Sequence, residues 1–129
     1  MILAARTEDR DIASDRERLA RIIVTNRQRR QAYFPSIAFG EPSWDMILHL
    51  YLSDIAGQPI DVSSLCASSG APKTTALRHL DKLTGAGLVK RIGDATDARR
   101  IFVRPDDALR ERIGQWFDRV TLSLDVCPP

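Results

Sequence analysis

The hydrophobic period of this chain changes once, just after Gly85-Ala86-Gly87, from helical spacing to short β-prone runs. Leu88-Val89-Lys90-Arg91-Ile92 and Arg100-Ile101-Phe102-Val103-Arg104 flank the turn-rich stretch 93–99. Two such runs around a turn read as a β-hairpin with a long tip, and Pro105 ends its second strand. Every other periodic segment is helical. The first, 8–33, has no Pro or Gly, and Ile12, Leu19, Ile22 and Ile23 form a narrow apolar stripe on a charged background. Phe34-Pro35 and Gly40-Glu41-Pro42 mark a loop. Ser43 is the expected N-cap of a second helix carrying Trp44, Ile47, Leu48, Tyr51, Leu52 and Ile55, which stops at Gly57. Asp61 is placed to cap a short third helix through Val62, Leu65 and Cys66. Pro72 suits the first position of a fourth, which spans 72–84 and ends where a glycine can turn left-handed. Asp106 or Asp107 caps a last helix with Leu109, Ile113, Trp116, Phe117, Val120 and Leu124 at helical spacing.

The expected fold is therefore mainly α with a small β-hairpin, an α+β chain. Its 129 residues suit one domain: a core over 43–104 with flanking helices over 8–33 and 106–126. A composition of 43% hydrophobic and 28% charged residues is that of an ordered globular domain, not a disordered one. No apolar run approaches the ~20 residues of a membrane helix, so no membrane partner is expected. Met1 to Ala5 meets Arg6, Glu8, Asp9 and Arg10 too soon for a signal peptide. Cys66 and Cys127 make no disulfide framework. The expectation is a reduced, cytoplasmic protein.

The net charge of +2 conceals an uneven distribution. Between Lys73 and Arg104 eight cations face three carboxylates, a balance of +5, and the rest of the chain carries −3. Sixteen of the nineteen cations are arginine, whose planar fork suits phosphates and guanine edges. A basic segment on an otherwise acidic chain implies a polyanionic partner.

Three short helices followed by a hairpin describe a winged helix-turn-helix, whose third core helix enters the DNA major groove while the hairpin tip meets the adjacent backbone or minor groove. A wheel of about 100° per residue tests this on helix 72–84. Ala76, Leu80 and Leu83 share one face; Thr74, Arg78 and Asp81 take the opposite one, and Leu77 sits at its edge. Lys73, Thr74 and Thr75 lie in the first turn, where free N–H groups and the helix dipole favour a phosphate. Arg78 is placed to reach a guanine edge, and Leu77 a thymine methyl. Asp81 either accepts from a cytosine amino group or orients Arg78.

The run Thr75-Ala-Leu-Arg-His-Leu-Asp-Lys-Leu-Thr-Gly-Ala-Gly87-Leu-Val-Lys-Arg91, followed by Asp97-Ala-Arg99-Arg100-Ile-Phe-Val103, resembles the MarR (multiple-antibiotic-resistance regulator) family. The shared features are a Thr-rich recognition helix, a Gly-Leu-[Ile/Val]-x-Arg strand and an Asp-x-Arg motif in the wing, and they cover about Trp44 to Val103. The resemblance implies a transcriptional regulator of double-stranded DNA, and a repressor. It makes Arg99 the wing arginine that enters the minor groove, with Asp97 fixing its guanidinium and Arg91 and Arg100 on the same basic surface. A narrow A·T-rich groove attracts such an arginine. The sequence departs from the family at His79, where an apolar residue is usual, at Arg104-Pro105, where Leu-Thr is usual, and in carrying one helix after the wing instead of two.

The family likeness also implies a homodimer on a near-palindromic operator. The apolar stripes agree: Ile12, Leu19, Ile22 and Ile23 on the first helix, and Ile113, Trp116, Phe117, Val120 and Leu124 on the last, exceed what a small winged core covers. The alternative is that both helices fold back on their own core. Tyr33, Phe34, Phe39, Trp44 and Tyr51 either line a pocket for a small aromatic effector or form the junction between the first two helices.

Other chemistries find no support. Gly70-Ala71-Pro72-Lys73-Thr74 lacks the glycines of a phosphate-binding loop. His49, His79, Cys66 and Cys127 are too scattered for a metal site. His79 reads as a partly buried, hydrogen-bonded histidine, Cys66 as core. With no nucleophile triad or paired acid site, no enzyme and no cofactor are expected. The competing function is a winged-helix module that binds protein and has no specific DNA site.

Overall fold

The computed structural model describes residues 2–33 and 41–126, with side chains over 12–29, 32 and 41–122. Five helices and three short strands follow in chain order: α1 (Ile2–Tyr33), α2 (Pro42–Ala56), β1 (Ile60–Asp61), α3 (Val62–Ser68), α4 (Lys73–Gly85), β2 (Val89–Gly93), β3 (Ile101–Pro105) and α5 (Asp107–Val126). The strands form one antiparallel sheet in the order β1-β3-β2. This is the α+β winged helix-turn-helix arrangement.

Local chemistry explains most boundaries. Asp61 caps α3 as expected, its Oδ1 accepting from the Ser64 N–H at 2.7 Å. Asp106, not Asp107, caps α5 through the Ala108 N–H at 3.0 Å. Gly87 takes φ +74° and lets Leu88 N–H close back on Leu83 O, so the chain leaves α4 directly into β2.

Four expectations need correction. Helix α1 starts at Ile2, not at residue 8, because 2–7 contain no helix breaker. Ser43 is not the cap of α2: Glu41 holds that position, Pro42 opens the helix, and the Ser43 hydroxyl lies 2.9 Å from His79 Nδ1 on α4. Helix α4 opens at Lys73, with Pro72 at its N-cap position. The hairpin is a three-stranded sheet shifted by one residue: Pro105 belongs to β3 opposite Val89, Arg100 falls in the turn, and two residues, Ile60 and Asp61, pair with Val103 and Phe102.

Two cores share α2. Met46 and Leu50 face one side with Leu65, Cys66, Ala76, Leu80, Leu83, Val89, Val103 and Leu109, the centre of the winged unit. Leu48 faces the other side with Ala20, Ile113 and Phe117, and Leu19, Ile23, Trp44 and Tyr51 pack around them. Phe117 is fully buried where α1, α2 and α5 meet, 5.1 Å from the Tyr51 ring and 5.4 Å from Trp116. Arg16 locks α1 to α5 through a two-pronged bond to Asp118, at 2.8 and 2.5 Å. Gly114 leaves the room for it, since a Cβ there would stand 2.9 Å from the guanidinium.

This second core corrects the expected dimer surface. Ile113 and Phe117 are buried inside the chain, and Leu19 and Ile23 are partly buried beside them, because α1 and α5 pack on each other and on α2. Ile12, Ile22 and Trp116 remain 45%, 48% and 40% exposed, and Leu122 on α5 reaches 63%. Val120 is half-buried. The side chain of Leu124 lies outside the described residues. Among the described residues no helix is long and apolar enough to cross a membrane.

His49 on α2 gives this packing a pH dependence. Burial pushes its pKa below the usual 6.5, and the nearby Asp45 only partly opposes that. The folded state thus prefers neutral His49, while the unfolded chain takes up a proton near 6.5. Protons bind the unfolded state more readily, so stability is complete above that pH and falls as pH drops through it. Urea titrations from pH 7.5 to 5.5 should show the midpoint declining, and His49→Gln should flatten this trend. An equal decline in both proteins would assign it to other groups.

Candidate nucleic-acid interface

The face of α4 opposite its buried Ala76, Leu80 and Leu83 is open to solvent. Lys73 and Thr74 are exposed in the first turn, and Thr75 is half-buried beside them. Arg78 is exposed one turn further on. Lys73 and Arg78 make no ion pair among the described residues, so both side chains are available to an incoming anion. Leu77, which the wheel places at the edge of the polar face, is half-buried and packs against the winged core, which leaves part of it exposed.

The hairpin tip is held by its own polar groups. Asp94 N–H donates to Arg100 O at 3.0 Å, and Arg100 N–H to Asp97 O at 3.1 Å. Asp94 Oδ1 accepts from both the backbone N–H and the hydroxyl of Thr96, bonds that hold its carboxyl below the usual range. Asp97 Oδ1 accepts from the backbone N–H of Arg99 at 3.0 Å. The Arg99 Nε stands 3.7 Å away, at ion-pair but not hydrogen-bond distance, and the side chain is 95% exposed. Asp97 therefore fixes the backbone of the turn through a hydrogen bond and meets the Arg99 guanidinium as an ion pair. The tip presents Arg99 to solvent on a closed loop.

Arg91 and Arg100 are held by carboxylates. Arg100 donates from Nε to Asp61 Oδ2 at 3.3 Å and lies over the Phe102 ring at 5.0 Å. Asp61 thus serves twice, as the cap of α3 and as the anchor of the wing base. Its carboxyl sits below the usual range, mainly through the Ser64 N–H and with a contribution from Arg100. Arg91 donates from Nη2 to Asp81 Oδ1 at 2.6 Å, which binds β2 to the polar face of α4. From the sequence, Asp61 is expected as a cap and Asp81 as a base reader or partner of Arg78. Neither long-range pairing carried a sequence signal, because each depends on sheet register.

His79 is half-buried and bonded to Ser43, as its sequence setting implied. Trp44 and Tyr51 belong to the second core, with Trp44 4.8 Å from Trp116 edge-on, so these two rings form junction core. Phe34, Phe39 and Cys127, and the side chain of Tyr33, lie outside the described residues. A cleft of about 220 Å³ opens elsewhere, between the end of α2 and β3, and is lined by Asp54, Gln58, Val103 and Arg104 among others, with no aromatic residue. Asp54 there is clasped by Arg110 at 2.8 and 2.9 Å, which holds its carboxyl below the usual range. Among the described residues no cluster of three or more His, Cys, Asp or Glu side chains is arranged to hold a metal ion.

No protein-family model matches this chain, and no curated protein matches it in sequence. Solved structures do match it in fold. The MepR–DNA complex of S. aureus aligns with a TM-score of 0.55 at 14% identity, covering 84% of this chain and 82% of MepR. NadR in complex with 4-hydroxyphenylacetate aligns at 0.52 and 24% identity, over 83% of this chain and 74% of NadR. The PcaV transcriptional regulator of Streptomyces coelicolor aligns at 0.51 and 19% identity, over 66% of this chain and 59% of PcaV. The chain shares the winged-helix fold of these MarR-type regulators.

Proposed function

We propose that this chain is a sequence-specific double-stranded DNA-binding transcriptional regulator of MarR type, a repressor acting as a homodimer. The observation that carries the reading is the exposed face of α4, where Lys73, Thr74 and Arg78 stand beside a wing whose tip offers Arg99. A helix with one buried and one polar, cationic face is what the major groove admits, and an exposed arginine on a closed hairpin suits the minor groove beside it. Lys73 and Thr74 meet phosphates at the helix N-terminus, Arg78 reads a base edge, and Arg91 and Arg100 lie at the groove margin. MepR, which shares the fold, is seen bound to DNA. A regulator of this kind works in the cytoplasm, where the chromosome lies.

The dimer rests on Ile12, Ile22, Trp116 and Leu122, apolar side chains that α1 and α5 leave in solvent. Two such units related by a two-fold axis read two half-sites, giving a near-palindromic operator with centres about one helical turn apart. Ile22→Glu combined with Leu122→Glu should shift the sedimenting species from dimer to monomer and weaken operator binding, while circular dichroism keeps its helical signal. A dimer that survives both changes would place the interface elsewhere. NadR is seen with 4-hydroxyphenylacetate, which supports a small aromatic effector here. An effector favouring the DNA-free form would lower operator affinity by its coupling energy, about 1–3 kcal/mol.

Selection from a pool of random duplexes tests the function directly. Enrichment of an inverted repeat is the expected outcome. A pool that stays random after several rounds would remove sequence-specific recognition.

A further inference from the structure

Asp81 is the sole carboxylate between residues 73 and 93, and it stands on the face of α4 that the DNA reading turns toward a polyanion. Its side chain is 68% exposed, so burial does not account for it. An ion pair this open to water adds little to stability. Its position is informative because of what it holds. Arg91 pairs in register with the buried Val103, and Val89, two residues back, is also buried, so Arg91 springs from the helix-facing side of the sheet. It emerges at the edge of the core and meets Asp81 at 2.6 Å, with its own side chain 34% exposed. One guanidinium thus spans the seam between the recognition helix and the first strand of the wing. Only Nη2 is engaged with Asp81, and a guanidinium has further N–H donors in its plane.

We propose that Asp81 is a positioning residue for DNA discrimination. It holds Arg91 at the seam so that a backbone phosphate is met by Arg91 only when α4 and the wing are seated in adjacent grooves together. This rests on the DNA-binding reading above. The carboxylate repels phosphates wherever the fit is wrong, and the arginine it orients rewards the one register in which the fit is right. Removing the charge of Asp81 frees Arg91 to follow any phosphate, which aids non-specific binding and blunts the preference for the operator. Lysine at position 91 keeps the charge but lacks the fork that can bond a carboxylate and a phosphate in one plane.

The test measures binding of the full chain to the selected operator and to a scrambled duplex of equal length. Wild type is compared with Asp81→Asn, Asp81→Glu, Arg91→Lys and the double variant Asp81→Asn/Arg91→Lys, each checked by thermal melting. Asp81→Asn and Arg91→Lys should each cut the operator preference about tenfold, the size of one charge-assisted hydrogen bond. The scrambled duplex should bind Asp81→Asn at least as tightly as wild type. Asp81→Glu should recover most of the preference, and the double variant should be no worse than either single one. If wild type prefers the operator and Asp81→Asn shifts both duplexes by the same factor, or by none, the positioning role is overturned; additive losses in the double variant would overturn it too. If wild type itself shows no preference, the DNA-binding reading fails first and takes this role with it.

Discussion

Arg78→Ala should weaken binding to the operator about 10- to 100-fold, within the ~1–3 kcal/mol that one good arginine–base contact supplies. The loss should fall on discrimination. Arg78 is exposed on the polar face of α4, without an ion pair among the described residues, so no internal bond is broken when it is removed. Its backbone stays in place because Ala76, Leu80 and Leu83 still anchor the helix. The variant should therefore melt as wild type does. Each half-site should tolerate base changes at one position that wild type rejects, and a panel of duplexes with single substitutions reads this out. Lys73→Ala provides the contrast: losing a phosphate contact weakens all duplexes alike and reduces the salt slope by about one. Equal tolerance in wild type and Arg78→Ala would show that Arg78 reads no base.

Phe117→Ala should destabilise the fold by about 3–5 kcal/mol, the range for emptying a fully buried phenylalanine site. Phe117 has no exposed surface and sits where α1, α2 and α5 converge, against Tyr51 and Trp116. Helices α1 and α5 are tied further by the Arg16–Asp118 bond, which opposes collapse into the space left behind. Urea denaturation measures the loss. Had Phe117 lain in the dimer interface, as its place in the stripe suggested, alanine would have loosened the dimer and left the protomer stable. A protein that keeps its midpoint but sediments as a monomer would restore that reading.

The difference between those two outcomes marks how far the sequence could be read. Helical spacing told which faces of α1 and α5 are apolar, but not whether the covering surface belongs to the same chain. The covering residues, Ala20 and Leu48, are small or shared, and α2 is apolar on more than one side. Its broad stripe looked like one face and serves two cores. Helix α4 was legible for the opposite reason. With Ala76, Leu80 and Leu83 on one face and charge on the other, its orientation follows from period alone.

Short elements and long-range pairings were not legible. β1 is two residues long, too short to show alternation, and is defined by the pairing of Ile60 and Asp61 with β3. The anchoring of Arg100 by Asp61 and of Arg91 by Asp81 spans 39 and 10 residues. Composition showed an excess of positive charge between Lys73 and Arg104, yet Lys90, Arg91 and Arg100 are paired with carboxylates of other elements, while Lys73, Arg78, Lys82 and Arg104 are exposed without an ion pair among the described residues and Arg99 meets Asp97 only at 3.7 Å. Charge counts locate a basic surface. Geometry decides which of its members remain available to a phosphate.

The most direct test of the central claim is fluorescence anisotropy of the purified protein with the DNA upstream of its own gene, against a scrambled duplex, each at two salt concentrations. The account predicts preferential binding to the upstream DNA, two protomers per site, and an affinity that falls steeply with salt as displaced counterions return. Equal, weak binding to both duplexes would contradict it and leave only charge-driven contact. The winged unit would then be better understood as a protein-binding module using the apolar surface around Trp116.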